Sequence, residues 1–171
     1  MNTVIETERL ILRAFTPDDL QAFIRMNSDP DMIRYAQPHP ITTEAAAREA
    51  MDKGPFHDYE HVGYGRFACV WKATGEVIGF SGLKFLPELN ETELGYRFWP
   101  VHWGKGLATE AGQASLDFAR QTLGLKRLIG LVHPDNPASS RVLQKLGFAV
   151  EKQVGFAHFP GVPFNCFARA L

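Results

Sequence analysis

Leu107, Ala111, Ala114 and Phe118 recur at the spacing of one helical face, with Ala108, Gly112 and Ala119 interleaved, which predicts an amphipathic helix slim enough to lie close on a sheet. Further along, Leu128-Ile129-Gly130-Leu131-Val132 is an unbroken apolar run, the pattern of a strand covered on both faces in the middle of a sheet. Between 91 and 99 the pattern alternates instead: Leu94, Tyr96 and Phe98 share one face, and Glu93, Gly95 and Arg97 the other. A short strand is predicted over 10–13, a hairpin over 66–72 and 76–85 around Ala73-Thr74-Gly75, and two last strands over 148–154 and 163–171, joined by a Gly/Pro/Phe-rich loop. That makes about seven strands.

Helix punctuation fills the intervals. Thr16-Pro17-Asp18-Asp19 places proline and acids at a helix start, and that helix runs to about Asn27. A short helix is expected over 31–35, and a third from Thr42-Thr43-Glu44 through Met51, stopped by Gly54-Pro55. Asn136-Pro137 opens a short helix that turns Val142, Leu143 and Leu146 inward and ends at Gly147, with Phe148 packing back. The stretch 56–64 contains His57-Asp58-Tyr59-Glu60-His61; its spacing fits no zinc signature, and a surface loop is the expectation. The order of elements predicts an α/β (α+β) fold, a mixed sheet with helices on both faces, as one domain over 1–171 with no repeat or linker.

Composition narrows the function classes. The chain has 171 residues, 45% hydrophobic and 22% charged, with a formal net charge of -1, so no broad positive field favours nucleic acid. Cys69 and Cys166 stand far apart without metal-ligand or disulfide spacing, so no metal is expected. No stretch approaches a membrane span and residues 1–13 contain no apolar leader core, which makes the cytoplasm the expected location.

Chemistry concentrates where the slim helix begins. Gly104 and Gly106 permit a sharp turn and close approach of backbone to ligand, and the unpaired N–H groups of the following helical turn favour a phosphate or pyrophosphate. A Walker A loop requires Ser or Thr after its Gly-Lys, whereas Gly106 follows Lys105; the dinucleotide fingerprint requires Gly or Ala where Thr109 stands.

The run Trp103-Gly104-Lys105-Gly106-Leu107-Ala108-Thr109-Glu110-Ala111 resembles the acyl-CoA pyrophosphate loop of the GNAT acetyltransferase superfamily, Gln/Arg-x-x-Gly-x-Gly/Ala, with Trp103 departing at the first position. That departure is common in the RimJ/RimL-like branch, the ribosomal-protein N-terminal acetyltransferase-like proteins. A second segment, Asn136-x-x-Ser139 followed by Val142-Leu143-x-Lys145-Leu146-Gly147-Phe148, is similar to the family's second CoA segment. The resemblance covers most of 8–171 and is strongest over 91–148. It implies a mostly antiparallel sheet splayed in the middle, and acetyl-CoA as cosubstrate. It also implies direct acetyl transfer to a primary amine, either a protein or peptide N-terminus or a small molecule. The alternative is a non-catalytic CoA-binding sensor. The chain is expected to act as a monomer or a homodimer.

Residue by residue, the resemblance assigns Gly104, Lys105, Gly106, Leu107, Ala108 and Thr109 to the cofactor phosphates and the backbone of Arg97, Phe98 and Trp99 to the pantetheine arm and acetyl carbonyl. Asn136 would bond the pantetheine amide, although an N-cap role also explains it. Arg141 either neutralises a cofactor phosphate or is a solvated helix residue. Glu93 matches the strand position of a general base, or pairs with Arg97 or Lys84. The tyrosine that often protonates the leaving thiolate is replaced by Leu143, leaving Ser139 as the candidate donor or as part of the helix cap. Since the phosphate loop occupies one side of the splayed strands, the acceptor is expected on the other. Its walls are expected to be 29–35 with Tyr35, the aromatic stretch 56–64, and 156–163 with Phe159.

Overall fold

The computed structural model describes residues 3–171, so the first two residues of the 1–13 stretch lie outside the described residues. The chain runs through β1 (Val4–Glu6), β2 (Leu10–Ala14), α1 (Leu20–Ser28), α2 (Pro30–Ile33) and α3 (Glu44–Met51). It continues through β3 (Arg66–Trp71), β4 (Val77–Leu86), β5 (Glu91–Phe98), α4 (Leu107–Gln121), β6 (Arg127–Val132), α5 (Pro137–Lys145), β7 (Ala149–Phe156) and β8 (Phe159–Ala170). Among the described residues the strands form one 8-stranded sheet in the order β1-β2-β3-β4-β5-β6-β8-β7. Every neighbouring pair is antiparallel except β5 and β6, which run parallel and meet in register at Glu93↔Ile129 alone. Beyond that point they part, and the sheet opens into the expected splay.

The sheet has one strand more than the hydrophobic pattern predicts. β1 is three residues long at the sheet edge, and its mixed Val-Ile-Glu content contains too little alternation to register as a strand. The Gly/Pro/Phe-rich loop is also shorter than expected, because β7 continues to Phe156 and β8 begins at Phe159. Pro160 and Pro163 are tolerated because Gly155 alone lies opposite 160–163, in a bulge that extends past β6. The expected surface loop over 56–64 is instead largely helical: two wide turns, Asp52–Phe56 and Asp58–Val62, prolong α3 beyond a kink at Gly54 (φ -104°, ψ -108°). Tyr59 anchors them, its hydroxyl donating to the Arg66 carbonyl and accepting from the Phe15 amide at 3.0 Å.

Helices cover both faces. On one, α4 packs on β4 and β5 through Leu107, Ala111, Leu116 and Phe118, and Ser115 meets Ser81 of β4 at 3.1 Å in the core. On the other lies α1. The α5 stop takes the predicted form: Gly147 sits at φ 80°, its amide donates to Gln144 and the Phe148 amide to Leu143.

Candidate active site

The loop before α4 has the conformation its glycines foretell. Gly104 (φ 73°) and Gly106 (φ 78°) are both left-handed. Gly106 is the N-cap of α4 and supplies no side-chain acceptor, so the first-turn amides of Leu107, Ala108 and Thr109 are left without a side-chain cap and are suited to an anion. Trp103 pins the loop to the end of β5, its indole Nε1 donating to the Phe98 carbonyl at 2.6 Å.

A second fastening escapes the sequence reading. Glu110, in the first turn of α4, accepts from Thr7 Oγ1 (2.6 Å), the Arg9 amide (2.8 Å) and Arg9 Nε (2.7 Å), while Arg9 Nη1 donates to the Lys105 carbonyl (2.9 Å). Partial burial works against ionisation of Glu110, but the Thr7 and Arg9 hydrogen bonds outweigh it and hold the carboxyl below its ordinary range. The network ties the β1–β2 turn to the loop across about a hundred residues of chain, a separation at which no local spacing rule operates.

The splayed gap lies next to this loop. The Trp99 amide donates to Ile78 of β4 at 3.0 Å, so strand alternation turns the backbone groups of Trp99 and Arg97 toward β4, and those of Tyr96 and Phe98 toward β6. Of the expected stretch 97–99, Phe98 therefore faces the gap, joined by Tyr96. The Tyr96 hydroxyl donates to the Ser139 carbonyl at 2.9 Å and meets Ser139 Oγ at 3.0 Å. Burial pushes the phenol well above its ordinary range, so it is a proton-bearing donor at neutral pH. Its place on the apolar face of β5 hid it in the sequence; only the fold sets it against α5. Asn136 caps α5, accepting from the Ser139 amide at 3.2 Å, which leaves its amide nitrogen for other partners. Arg141 is exposed at the edge of the same cavity.

The opposite face of β5 has a different chemistry. Glu93 pairs with Arg66 at 3.1 Å, and not with Arg97 or Lys84 as expected. Arg66 reaches it from β3 over a path of two glycines, since Arg66, Gly82 and Gly95 stand in register across three strands. A Cβ on Gly82 would lie 2.7 Å from the Gly65 carbonyl, and one on Gly95 3.1 Å from Arg66 Nη2. Glycine at 95 thus leaves the space this guanidinium occupies, and glycine at 82 lets the β3 backbone come close.

A cavity of about 1020 Å³ joins the two faces, running from Gly104 and Gly106 past Tyr96 and Asn136 to Glu93 and Arg97. Beyond β6 its wall is aromatic: the His133 ring lies tilted against Tyr35 (5.1 Å between ring centroids) and edge-to-face with Phe164 (5.4 Å) and Phe159 (6.0 Å). Tyr35 and Phe159 therefore meet at one wall although they are far apart in sequence. The stretch 56–64, expected as a third wall, does not line the cavity; it is drawn back by Tyr59 and by the 2.8 Å contact of Tyr64 with Thr92. Arg66, Phe80 and the end of β4 close that side instead. Lys105 and Trp99 also lie off the cavity: Lys105 is exposed, and Trp99 is buried beneath Arg25, whose guanidinium is 3.8 Å from the ring centroid. Among the described residues no group of His, Cys, Asp and Glu could hold a metal, and no helix is long and apolar enough to cross a membrane.

An open mixed sheet splayed next to an uncapped, glycine-headed helix is the architecture that the resemblance to the acyl-CoA-dependent transferases implies. Residues 9–149 match the Acetyltransferase (GNAT) domain family, and the chain belongs to that family. It is similar to the uncharacterized N-acetyltransferase p20 of Bacillus licheniformis, 35% identical over 85% of this chain and 82% of the relative. It is also similar to the ribosomal-protein-serine acetyltransferase of Escherichia coli, 31% identical over 64% of this chain and 63% of that protein. The crystal structure of spermidine N-acetyltransferase from Vibrio cholerae, in complex with CoA and spermine, shares the fold with a TM-score of 0.80 at 21% identity, over 96% of each chain. The chain is accordingly an N-acetyltransferase.

Proposed function

We propose that this protein transfers an acetyl group directly from acetyl-CoA to a primary amine held in the aromatic-walled half of the cavity, and that it works as a single cytoplasmic domain. The observation that carries this reading is the continuous cavity from the α4 N-terminus, through the gap at Tyr96 and Phe98, to Glu93. The uncapped amides of 107–109 would take the pyrophosphate, and Phe98, Tyr96 and Asn136 would take the pantetheine arm. Acetyl-CoA supplies the activated thioester. Glu93 accepts the proton of the attacking ammonium, directly or through water; the neutral amine forms the new C–N bond as the C–S bond breaks, and the second proton its nitrogen sheds returns through water to replace the one Tyr96 gives up. The departing thiolate takes its proton from the Tyr96–Ser139 pair, a buried phenol supported by a hydroxyl and a carbonyl. This pair supplies the proton route whose apparent lack favours a mere CoA sensor.

Neither cysteine lines the cavity, and burial pushes the Cys69 thiol well above its ordinary range, which favours direct attack over an acyl-cysteine intermediate. Similar proteins include a ribosomal-protein-serine acetyltransferase and a spermidine N-acetyltransferase, so the acceptor classes to test are peptides and small amines. Free CoA release from acetyl-CoA, followed with a panel of peptides, amino acids and polyamines, tests the proposal. Acceptor-dependent release is the expected result; CoA binding without turnover of any amine would leave the sensor reading in its place.

A further inference from the structure

On the sheet floor of the acceptor half of the cavity, positive side chains outnumber negative ones. Register places Lys84 beside Glu93 and Phe80 beside Arg97, and with Arg66 all project to the face away from α4 and line the cavity. Three cations thus share this floor with one carboxylate, Glu93, which is engaged by Arg66. Among the described residues neither Arg97 nor Lys84 is in an ion pair. Arg97 Nη1 is held by neutral acceptors only, the Met26 carbonyl at 3.1 Å and Asn27 Oδ1 at 3.0 Å. Those are the side-chain hydrogen bonds of Arg97 among the described residues, and the buried Nε of Arg66 has no partner. Both guanidinium carbons lie close to the Phe80 ring, at 5.4 Å for Arg97 and 5.0 Å for Arg66 from its centroid, which keeps the two cations in one neighbourhood. Burial and the charge of Arg66 pull Arg97 down to about 10, so it is fully charged at neutral pH and lacks a counter-charge. The acids near it, Asp31, Glu88 and Asp135, are exposed residues lining the cavity, where solvent screens them.

We infer that this site selects primary amines that also carry a carboxylate, with Arg97, helped by Arg66 and Lys84, holding that carboxylate while the amine faces the thioester. A planar guanidinium with a free N–H edge matches a carboxylate in two parallel hydrogen bonds, and a half-buried cation without its counter-ion is the arrangement such a ligand completes. A polyamine would instead place further positive charge on a cationic floor, at a cost in both repulsion and desolvation. The inference deepens the proposed acetyl transfer and rests on it.

The test compares matched acceptors with the full chain: an amino acid against its amide, a dipeptide with aspartate against one with asparagine, and spermidine. The expected kcat/KM is about 10- to 100-fold higher for each carboxylate-bearing acceptor than for its neutral partner, the range of a charge-assisted hydrogen bond, expressed in KM more than in kcat. Arg97→Gln should bring that ratio to near unity, and Arg97→Lys should restore part of it. Because Arg97 also holds the end of α1, Lys84→Met serves as a second variant, and calorimetric binding of the amino acid in the presence of CoA as a second measurement. Equal turnover of acids and amides, preference for spermidine, or a carboxylate affinity indifferent to all three substitutions would overturn the inference and leave the transferase standing. Carboxylate binding that depends on Arg97 without any turnover would support the anion site while removing the transferase reading.

Discussion

Replacing Gly106 with alanine separates cofactor binding from folding. Gly106 caps α4 at φ 78°, ψ 5°, and a Cβ at this position would meet only Arg9 Nη2, at 3.7 Å, an ordinary contact. The substitution is therefore not a packing error. Its cost is conformational: an L-residue in the left-handed region gives up roughly 1–2 kcal/mol relative to glycine. Against a usual folding stability of about 5–15 kcal/mol the protein stays folded. In the absence of ligand the loop relieves the strain by leaving the left-handed conformation, and CoA must restore it. The expected rise in the CoA Kd is about 5- to 30-fold, the same 1–2 kcal/mol expressed as an equilibrium constant. Valine, branched at Cβ, should raise it further. Gly124→Ala is the matched control, because Gly124 is also left-handed (φ 65°), has nothing within 4 Å of the place a Cβ would take, and lies past the far end of α4. Titration calorimetry with CoA and thermal melts of both variants give the comparison. Without ligand, Gly106→Ala should melt close to the parent, its strain being relieved, and Gly124→Ala no more than a few degrees lower, at about 2–4 °C per kcal/mol for this size. Only Gly106→Ala should lose CoA affinity. If both variants keep the parent's Kd, the loop is not the phosphate site.

Glu93→Gln should lower kcat by about 100-fold or more with CoA affinity unchanged, and raising the pH should recover turnover as neutral amine accumulates; a pH–rate profile identical to the parent's would reduce Glu93 to a partner for Arg66. Tyr96→Phe removes the hydroxyl shared with Ser139 and should lower kcat about 10- to 100-fold with little change in acceptor KM, whereas Ser139→Ala, which leaves the Tyr96 phenol and the Ser139 carbonyl in place, should cost less; equal turnover in Tyr96→Phe and the parent would exclude the phenol as proton donor. Asp19 tests the fold through pH: although burial works the other way, hydrogen bonds from Arg13 at 2.7 and 2.8 Å and from the Thr16 amide hold it below its ordinary range. Its contribution is present above the unfolded carboxyl value of about 3.9 and is lost as pH falls through the lower folded value. Asp19→Asn should therefore lose about 1–3 kcal/mol at neutral pH by denaturant titration, with the gap to the parent closing in acid; a gap constant down to about pH 2 would contradict the assignment.

Local chemistry makes much of this protein legible in its sequence. The glycine-headed helix, the buried run at 128–132, the alternation along β5 and the Gly147 stop depend on periodicity and on backbone freedom, which neighbouring residues determine together. The phosphate loop is readable for the same reason, since its function resides in main-chain amides exposed by a few adjacent residues. What the tertiary structure alone decides depends on long-range approach. Tyr96 reads as one more apolar-face residue until α5 brings Ser139 to its hydroxyl, and Glu93 has candidate partners in sequence until β3 brings Arg66 across the space left by Gly95. Arg9 reaches the phosphate loop, and His133 joins Tyr35 to Phe159, by contacts that no spacing rule encodes. The withdrawal of 56–64 from the cavity turns on a tyrosine hydroxyl binding backbone on two different elements. In each case the deciding energy is the pairing of a buried polar group with a partner distant in sequence, and only the folded chain specifies which partner arrives.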